Sequence, residues 1–527
     1  MASAGGVDPG STYPGSIYPG SIDLNGPGGI DLDTVTIAGL RRGLASGAFT
    51  AAELTACYLD RISGLNPLLR AVVAVHPGAA EAAAASDAAR ADGRPPRPLE
   101  GIPVLVKDNI AVAGLPTTVG SLALSGSMPP DAFCAERLRA AGAVVIGKAN
   151  LSEWANFRSE ASTSGWSSAG GQVRNPHVLD RSPSGSSSGS GAAVAAHLAP
   201  IAIGTETDGS VVCPASACGI VGIKPTLGLV SRSGIAPITH LQDTAGPMAR
   251  SVADAALLLG VLAGADPADR LTRDNAAVAA ALTAGAVGTL DGGALRGSRL
   301  GIWRDGSATA NPATAAVLDA AVAVLRDGGA QLVDPVTLPG AADITEPEFA
   351  AMCHEFKHDL NAYLATLGPD IPHSLAELIE YNTRHAAQVM PLFGQDVFER
   401  AEATSGDLSD ASYRAVRAQA TALAATALDT PLGEHQLDAV VALTSSAAWP
   451  VDLVHGDRNL FYTSGPAAVA GYPAVTVPAG QVLGLPVGLT FMGAAWTDPR
   501  LVALAFAFEQ ATAARRAPAY RAAITAT

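Results

Sequence analysis

The stretch that most constrains this chain is Ser182–Thr226, SPSGSSSGSGAAVAAHLAPIAIGTETDGSVVCPASACGIVGIKPT. Gly tolerates positive φ, and neither Gly nor Ser fills much space. A run of the two lets the backbone pass close to another group and point several N–H donors one way, which suits an anion or an oxygen becoming one. The same composition also fits a flexible linker. The neighbouring residues argue against a linker: AAVAAHLA shortly after Ser190 favours a helix, and PIAIG is an apolar run. The Ser-rich part therefore reads as a loop feeding a helix N-terminus inside a core.

Around it the chain alternates. Thr36 to Gly64 reads as two helices, the second opened by Thr50 with Glu53 three residues on, a capping box. LRAVVAVHP is a strand, Ala79 to Asp92 an Ala-rich helix, and IPVLVKD a strand ending in charge. Residues 132–150 repeat the pattern, with Gly142 stopping a helix before the strand AVVIGK. MARSVADAALLLGVLAG reads as an amphipathic helix begun near Ser251, followed by a polar connector to about Asp291. RLGIWR, Pro312 to Asp327 and AQLVDP form a strand, helix, strand unit. Residues 340–435 read as mostly helical, rich in aromatic and His residues, and suit a substrate cover. DAVVALTS, YPAVTVP and LPVGLTFMG return to strands before a closing helix, Pro499 to Ala514. This alternation predicts an α/β fold, one large mixed sheet with helices on both faces that the late strands complete. Residues 1–29, with YPGS at Tyr13 and Tyr18, are expected to be a flexible arm, and 30–527 a single domain.

Charge narrows the partners. With 33 Lys+Arg against 48 Asp+Glu, the net charge of −15 gives no electrostatic case for nucleic acid or anionic lipid. No apolar run approaches the ~20 residues of a membrane span. No basic and then apolar N-terminal stretch marks a signal peptide, so cytoplasm and export after signal removal both stay open. Cys57, Cys134, Cys213, Cys218 and Cys353 are scattered, without metal-ligand spacing, and read as free buried thiols.

Three residues assemble into a hydrolytic site: Lys107 at the end of an apolar strand, Ser186 in the Ser-rich loop, and Ser210 in TETDGS. A Ser hydroxyl needs a base, and a Lys serves only when neutral. Bringing a Lys from about 10.4 to about 7 or 8 takes about 4 kcal/mol, within what a desolvated site imposes. The N–H groups of Thr207, Asp208 and Gly209 in the turn before Ser210 can hold the oxyanion of a tetrahedral intermediate.

Those residues carry a resemblance. GIPVLVKDN, the Ser-rich loop and GTETDGSVVCPASACGIVGIKPT resemble the signature of the amidase signature family, strongly from about Leu99 to Asp254 and more loosely to LPVGLTFMG. The resemblance implies a mixed-sheet fold, no cofactor, and a Ser, cis-Ser, Lys triad. Ser210 would be the nucleophile, Ser186 the bridging serine with a cis bond to Ser187, and Lys107 the base. LSEWANFR, GSSSGSG, ETDGSVVCPA, LQDTAGPMARSVADAA and EFKHDLNAYL look most like bacterial peptide amidases, which remove the C-terminal amide of peptides. Many members read GGSSGG where this chain has Gly185, Ser186, Ser187, Ser188 and Gly189, and have Ile-Arg where it has Val211 and Val212. The missing Arg removes a partner for Ser187. The backbone around Asn156 is the candidate receiver of the leaving NH2.

The expected substrate is a small or peptide amide and the expected state a monomer, with no nucleic acid, membrane or metal. General or aryl amidase, a glutaminase subunit of an amidotransferase, and a non-catalytic binding protein are the alternatives. His354 and His358 share a helix at i, i+4 but lack the HExxH order. Cys213 and Cys218 flank the nucleophile turn and read as small core residues.

Overall fold

The computed structural model describes residues 25–275, 290–308 and 311–524. Most of the expected arm and the connector after residue 275 lie outside the described residues. The expected helices form with their caps: α1 (Ile37–Ser46) and α2 (Ala51–Leu69), where the Thr50/Glu53 capping box is made in both directions. The second helix runs past Gly64 to Leu69. Then come β1 (Val72–Val75), α3 (Ala79–Ala91), β2 (Pro103–Lys107), α4 (Phe133–Ala140) and β3 (Val144–Ala149). The central stretch gives α5 (Ser188–Ala195), β4 (Ile201–Glu206), α6 (Val212–Ala217) and β5 (Val221–Lys224).

After β6 (Thr244–Ala249) comes α7 (Val252–Leu262), N-capped by Ser251. The expected amphipathic character is corrected here: eight of the residues of α7 are buried, because the helix packs against strands on one side and helices on the other. β7 (Arg299–Trp303), α8 (Pro312–Asp327) and β8 (Gln331–Val336) form the later unit, with β7 and β8 parallel. The insertion is helical, with α9 (Thr345–Leu364) and α10 (Ala411–Glu434) its longest members. The chain closes with β9 (Ala439–Leu443), β10 (Ala474–Val482), β11 (Leu485–Met492) and α11 (Asp498–Thr512).

Among the described residues all eleven strands lie in one mixed sheet, ordered β1-β3-β2-β4-β6-β5-β10-β11-β9-β7-β8. Alternate residues of β9 enter two cores: Ala439, Val441 and Leu443 join one, Val440 and Ala442 the other. That is the period of two expected of a strand covered on both faces. β2 and β4 are parallel neighbours buried along their whole length, so their carboxyl ends meet at one edge.

The Ser-rich stretch is no linker. α5 is buried at every position, and its small residues let it lie against backbone. A Cβ on Gly189 would stand 2.3 Å from the carbonyl oxygen of Ala71 and 2.4 Å from that of Asn150. A larger residue would push the helix off the sheet.

Candidate active site

The carboxyl ends of β2 and β4 bring Lys107 and Thr205 together, and the loop before α5 adds Ser186. Lys107 is fully buried, and its Nζ lies 2.8 Å from Ser186 Oγ, 2.8 Å from Thr205 Oγ1 and 3.2 Å from the Thr205 carbonyl oxygen. Among the described residues no carboxylate touches it. Burial holds the ammonium down to about 7, against the weaker opposing pull of Asp243 and Glu206. Asn109 donates to Thr205 Oγ1 at 2.9 Å, which fixes the hydroxyl that Lys107 meets. Sequence alone does not single out Thr205 and Asn109. Their signal is position: Asn109 stands two residues beyond Lys107, and Thr205 near the end of the strand that leads into the Ser210 turn.

Ser187 has the partner that the absent Arg left open: its hydroxyl donates to the Thr205 carbonyl at 3.0 Å and accepts the Thr205 N–H at 3.2 Å. Its own N–H donates to the Ser210 carbonyl at 3.2 Å, tying the Ser-rich loop to the turn that carries Ser210. The cis peptide bond lies one residue earlier than expected, between Gly185 and Ser186 rather than between Ser186 and Ser187. Those contacts of Ser187 are made with a trans bond before it.

Ser210, 9% exposed, is more open than the fully buried Ser186. Its turn is built on Gly209, at φ +75°, where a Cβ would meet Ser464 Oγ at 2.8 Å and Cys213 Sγ at 2.9 Å. Buried Glu206 accepts the N–H groups of Val211 and Val212 at 2.8 and 3.0 Å, capping α6. Among the described residues the N–H groups of Thr207, Asp208 and Gly209 find no acceptor and remain free for a ligand oxygen. The Thr207 hydroxyl is anchored at 2.6 Å on Asp243, whose other oxygen takes the N–H groups of Ile238 and Thr239. Asp208 is exposed at its surface, yet burial by the surrounding protein, with the charge of Glu206, raises its carboxyl.

Asn156 sits at φ +69°, its amide nitrogen on Ser164 Oγ at 3.1 Å. Its Oδ1 is buried and has no partner among the described residues. Cys213 and Cys218 are buried with their thiols pushed well up, as structural residues are. His354 and His358 diverge: one ring lies against Tyr413, and the other places Nδ1 3.2 Å from the Gly406 carbonyl. Among the described residues no group of three or more His, Cys, Asp or Glu converges, and no helix is long and apolar enough to cross a membrane.

The family model described as Amidase matches residues 53–502. A probable amidase of Arabidopsis thaliana is 40% identical over 93% of this chain and 92% of its own length. A glutamyl-tRNA(Gln) amidotransferase subunit from Salinispora arenicola is 37% identical over 93% and 99%. Among solved structures, the native peptide amidase from Stenotrophomonas maltophilia is 48% identical, with a TM-score of 0.87 over 92% of this chain and 98% of that one. A peptide amidase in complex with the competitive inhibitor chymostatin superposes with a TM-score of 0.89 over 93% and 100%, also at 48% identity.

Proposed function

The chain belongs to the amidase signature family, and from that premise we propose that it removes the C-terminal amide of peptides, giving the free acid and ammonia. The observation that carries the chemistry is a buried lysine, held near 7 by desolvation, 2.8 Å from a serine hydroxyl and, among the described residues, with no carboxylate in contact. Neutral Lys107 takes the proton of Ser186 as Ser186 takes that of Ser210, and Ser210 Oγ attacks the amide carbon. The N–H groups of Thr207, Asp208 and Gly209 receive the developing oxyanion, each donor worth about a hundred- to a thousandfold in turnover. The C–N bond breaks as the relay returns the proton to nitrogen, ammonia leaves, and water then splits the acyl-enzyme by the same route.

The 48% identity to peptide amidases across nearly the whole chain supports the substrate class. The unpartnered Oδ1 of Asn156 is an acceptor suited to the NH2 of a primary amide. The loop running up to Ser464 carries exposed Leu453, Val454, Leu460 and Tyr462, an apolar rim for the preceding residues of a peptide. We assign one catalytic domain to the described residues.

The likeness to the amidotransferase subunit favours a second reading, hydrolysis of glutamine. Ammonia release and mass spectrometry across peptide amides, simple carboxamides and free glutamine separate the two. The expected result is a gain of about one mass unit at the peptide C-terminus (NH2 replaced by OH), with internal bonds whole and glutamine turned over slowly. Faster turnover of glutamine than of any peptide amide would overturn the peptide reading.

A further inference from the structure

The insertion reaches the back of the nucleophile turn through buried polar side chains. Gln242 is the junction. Its Nε2 donates to Glu348 Oε1 of α9 at 2.8 Å and approaches the carbonyl oxygen of Thr207 at 3.4 Å, while its Oε1 accepts from Arg417 of α10 at 2.6 Å. A cation on one end and a carboxyl on the other fix which way the amide faces. Arg417 spends its remaining charge on Glu355, which also accepts from Tyr413 at 2.8 Å and from Thr239. Glu355 is thus paired with a cation, whereas Glu348, 4% exposed, accepts from an uncharged amide.

We propose that Glu348 is a positioning residue for the oxyanion turn, acting through Gln242, so that the insertion fixes the geometry of the nucleophile turn besides covering it. The proposal rests on the reading of Thr207, Asp208 and Gly209 as oxyanion donors. Gln242 sits next in the chain to Asp243, which anchors the Thr207 hydroxyl, so a shift of the Gln242 amide moves both supports of the turn together. The groups facing Glu348 are Asp208 from the turn, Arg417 from α10 and Glu355 from its own helix. Burial and the charge of Asp208 hold its carboxyl well above the usual range, against the opposing pull of Gln242 and Arg417. In its neutral form Glu348 accepts the Gln242 hydrogen bond without opposing Asp208. Ionised on the alkaline side, it sets a second negative charge against the turn that must bind an oxyanion.

The test is kcat and KM against pH for the full chain and for Glu348→Ala and Glu348→Gln, using a peptide amide, with near-UV circular dichroism to confirm folding. Glu348→Ala is expected to lower kcat about a hundredfold, the cost typical of displaced catalytic geometry, with KM changed far less. Glu348→Gln, which keeps the acceptor but cannot ionise, is expected to recover most of that loss and to abolish the alkaline fall in kcat. An alkaline fall unchanged in Glu348→Gln, or a loss in Glu348→Ala confined to KM, overturns the proposal. Should Glu348→Ala not fold, Glu348→Gln decides alone. Fluorophosphonate labelling of the wild type separates the layers: a wild type not labelled at Ser210 sinks the underlying site, whereas normal labelling with an unaltered Glu348→Gln profile sinks only the role of Glu348.

Discussion

Two buried lysines on neighbouring strands differ in the one feature that would suit a base. Lys107 ends β2 and Lys148 lies near the end of β3, both without exposed surface, and burial lowers both. Lys148 meets Asp108 at 3.0 Å, the Thr117 hydroxyl at 3.1 Å and the Pro116 carbonyl at 3.3 Å. Among the described residues Lys107 meets only hydroxyls and a carbonyl. Asp108, the residue next to Lys107 in the chain, turns to the opposite face of the sheet and pairs with the other lysine. Of the two buried ammonium groups, one has a contacting carboxylate that holds it against the loss of its proton and braces the fold. The one without gives up its proton near neutrality.

The comparison breaks most sharply by substitution. Lys107→Met is expected to lose at least the hundred- to ten-thousandfold typical of a general base, while Lys148→Met leaves the kcat of folded protein within a fewfold of wild type. Equal activity losses in purified, folded samples would erase the distinction.

Stability should move in the opposite order. Removing Lys148 strands the buried Asp108 charge, and breaking such a pair costs about 3–5 kcal/mol. Lys107 has its folded pKa depressed, so between about 7 and its unfolded value the unfolded chain holds more protons, and its unfavourable contribution to stability shrinks as pH rises through that window. At pH 7 the burden is on the order of 5 kcal/mol, at about 1.36 kcal/mol per pKa unit. Lys107→Met is therefore expected to unfold at a higher temperature than wild type, and Lys148→Met at a lower one. Calorimetry at pH 7 checks both signs.

A smaller effect sharpens the picture of the site. With Cys213 and Cys218 buried and their thiols pushed up, thiol reagents should leave native activity unchanged within error. Rapid inactivation traced to either cysteine would mean that the turn around Ser210 opens far more than its packing implies.

Much of this can be read in the chain because the signals are local. The Thr50/Glu53 box marks the start of α2. The apolar run before Lys107 marks a buried strand, and the concentration of Gly and Ser marks α5 pressed against backbone. Lys148 ends a run, VVIGK, as apolar as PVLVK, and nothing local tells the two apart. The difference lies in which partner the sheet register brings across, Asp108 for one and Ser186 with Thr205 for the other, separated from their lysines by 40, 79 and 98 residues. The same holds for the Gln242 junction, whose members Glu348 and Arg417 stand 106 and 175 residues away. The cis bond, which the resemblance places between Ser186 and Ser187, lies one residue earlier, at Gly185–Ser186.

The most direct measurement is the rate of fluorophosphonate modification at Ser210 as a function of pH, followed by mass spectrometry, since it reports the nucleophile without the later steps of turnover. Modification is expected at Ser210 alone, at a rate that rises through an ionisation near 7. No labelling is expected in Ser210→Ala, and the rate should collapse in Lys107→Met but not in Lys148→Met. A rate independent of pH from about 5 to 9, or label on another serine, would contradict a neutral Lys107 as the base that activates Ser210.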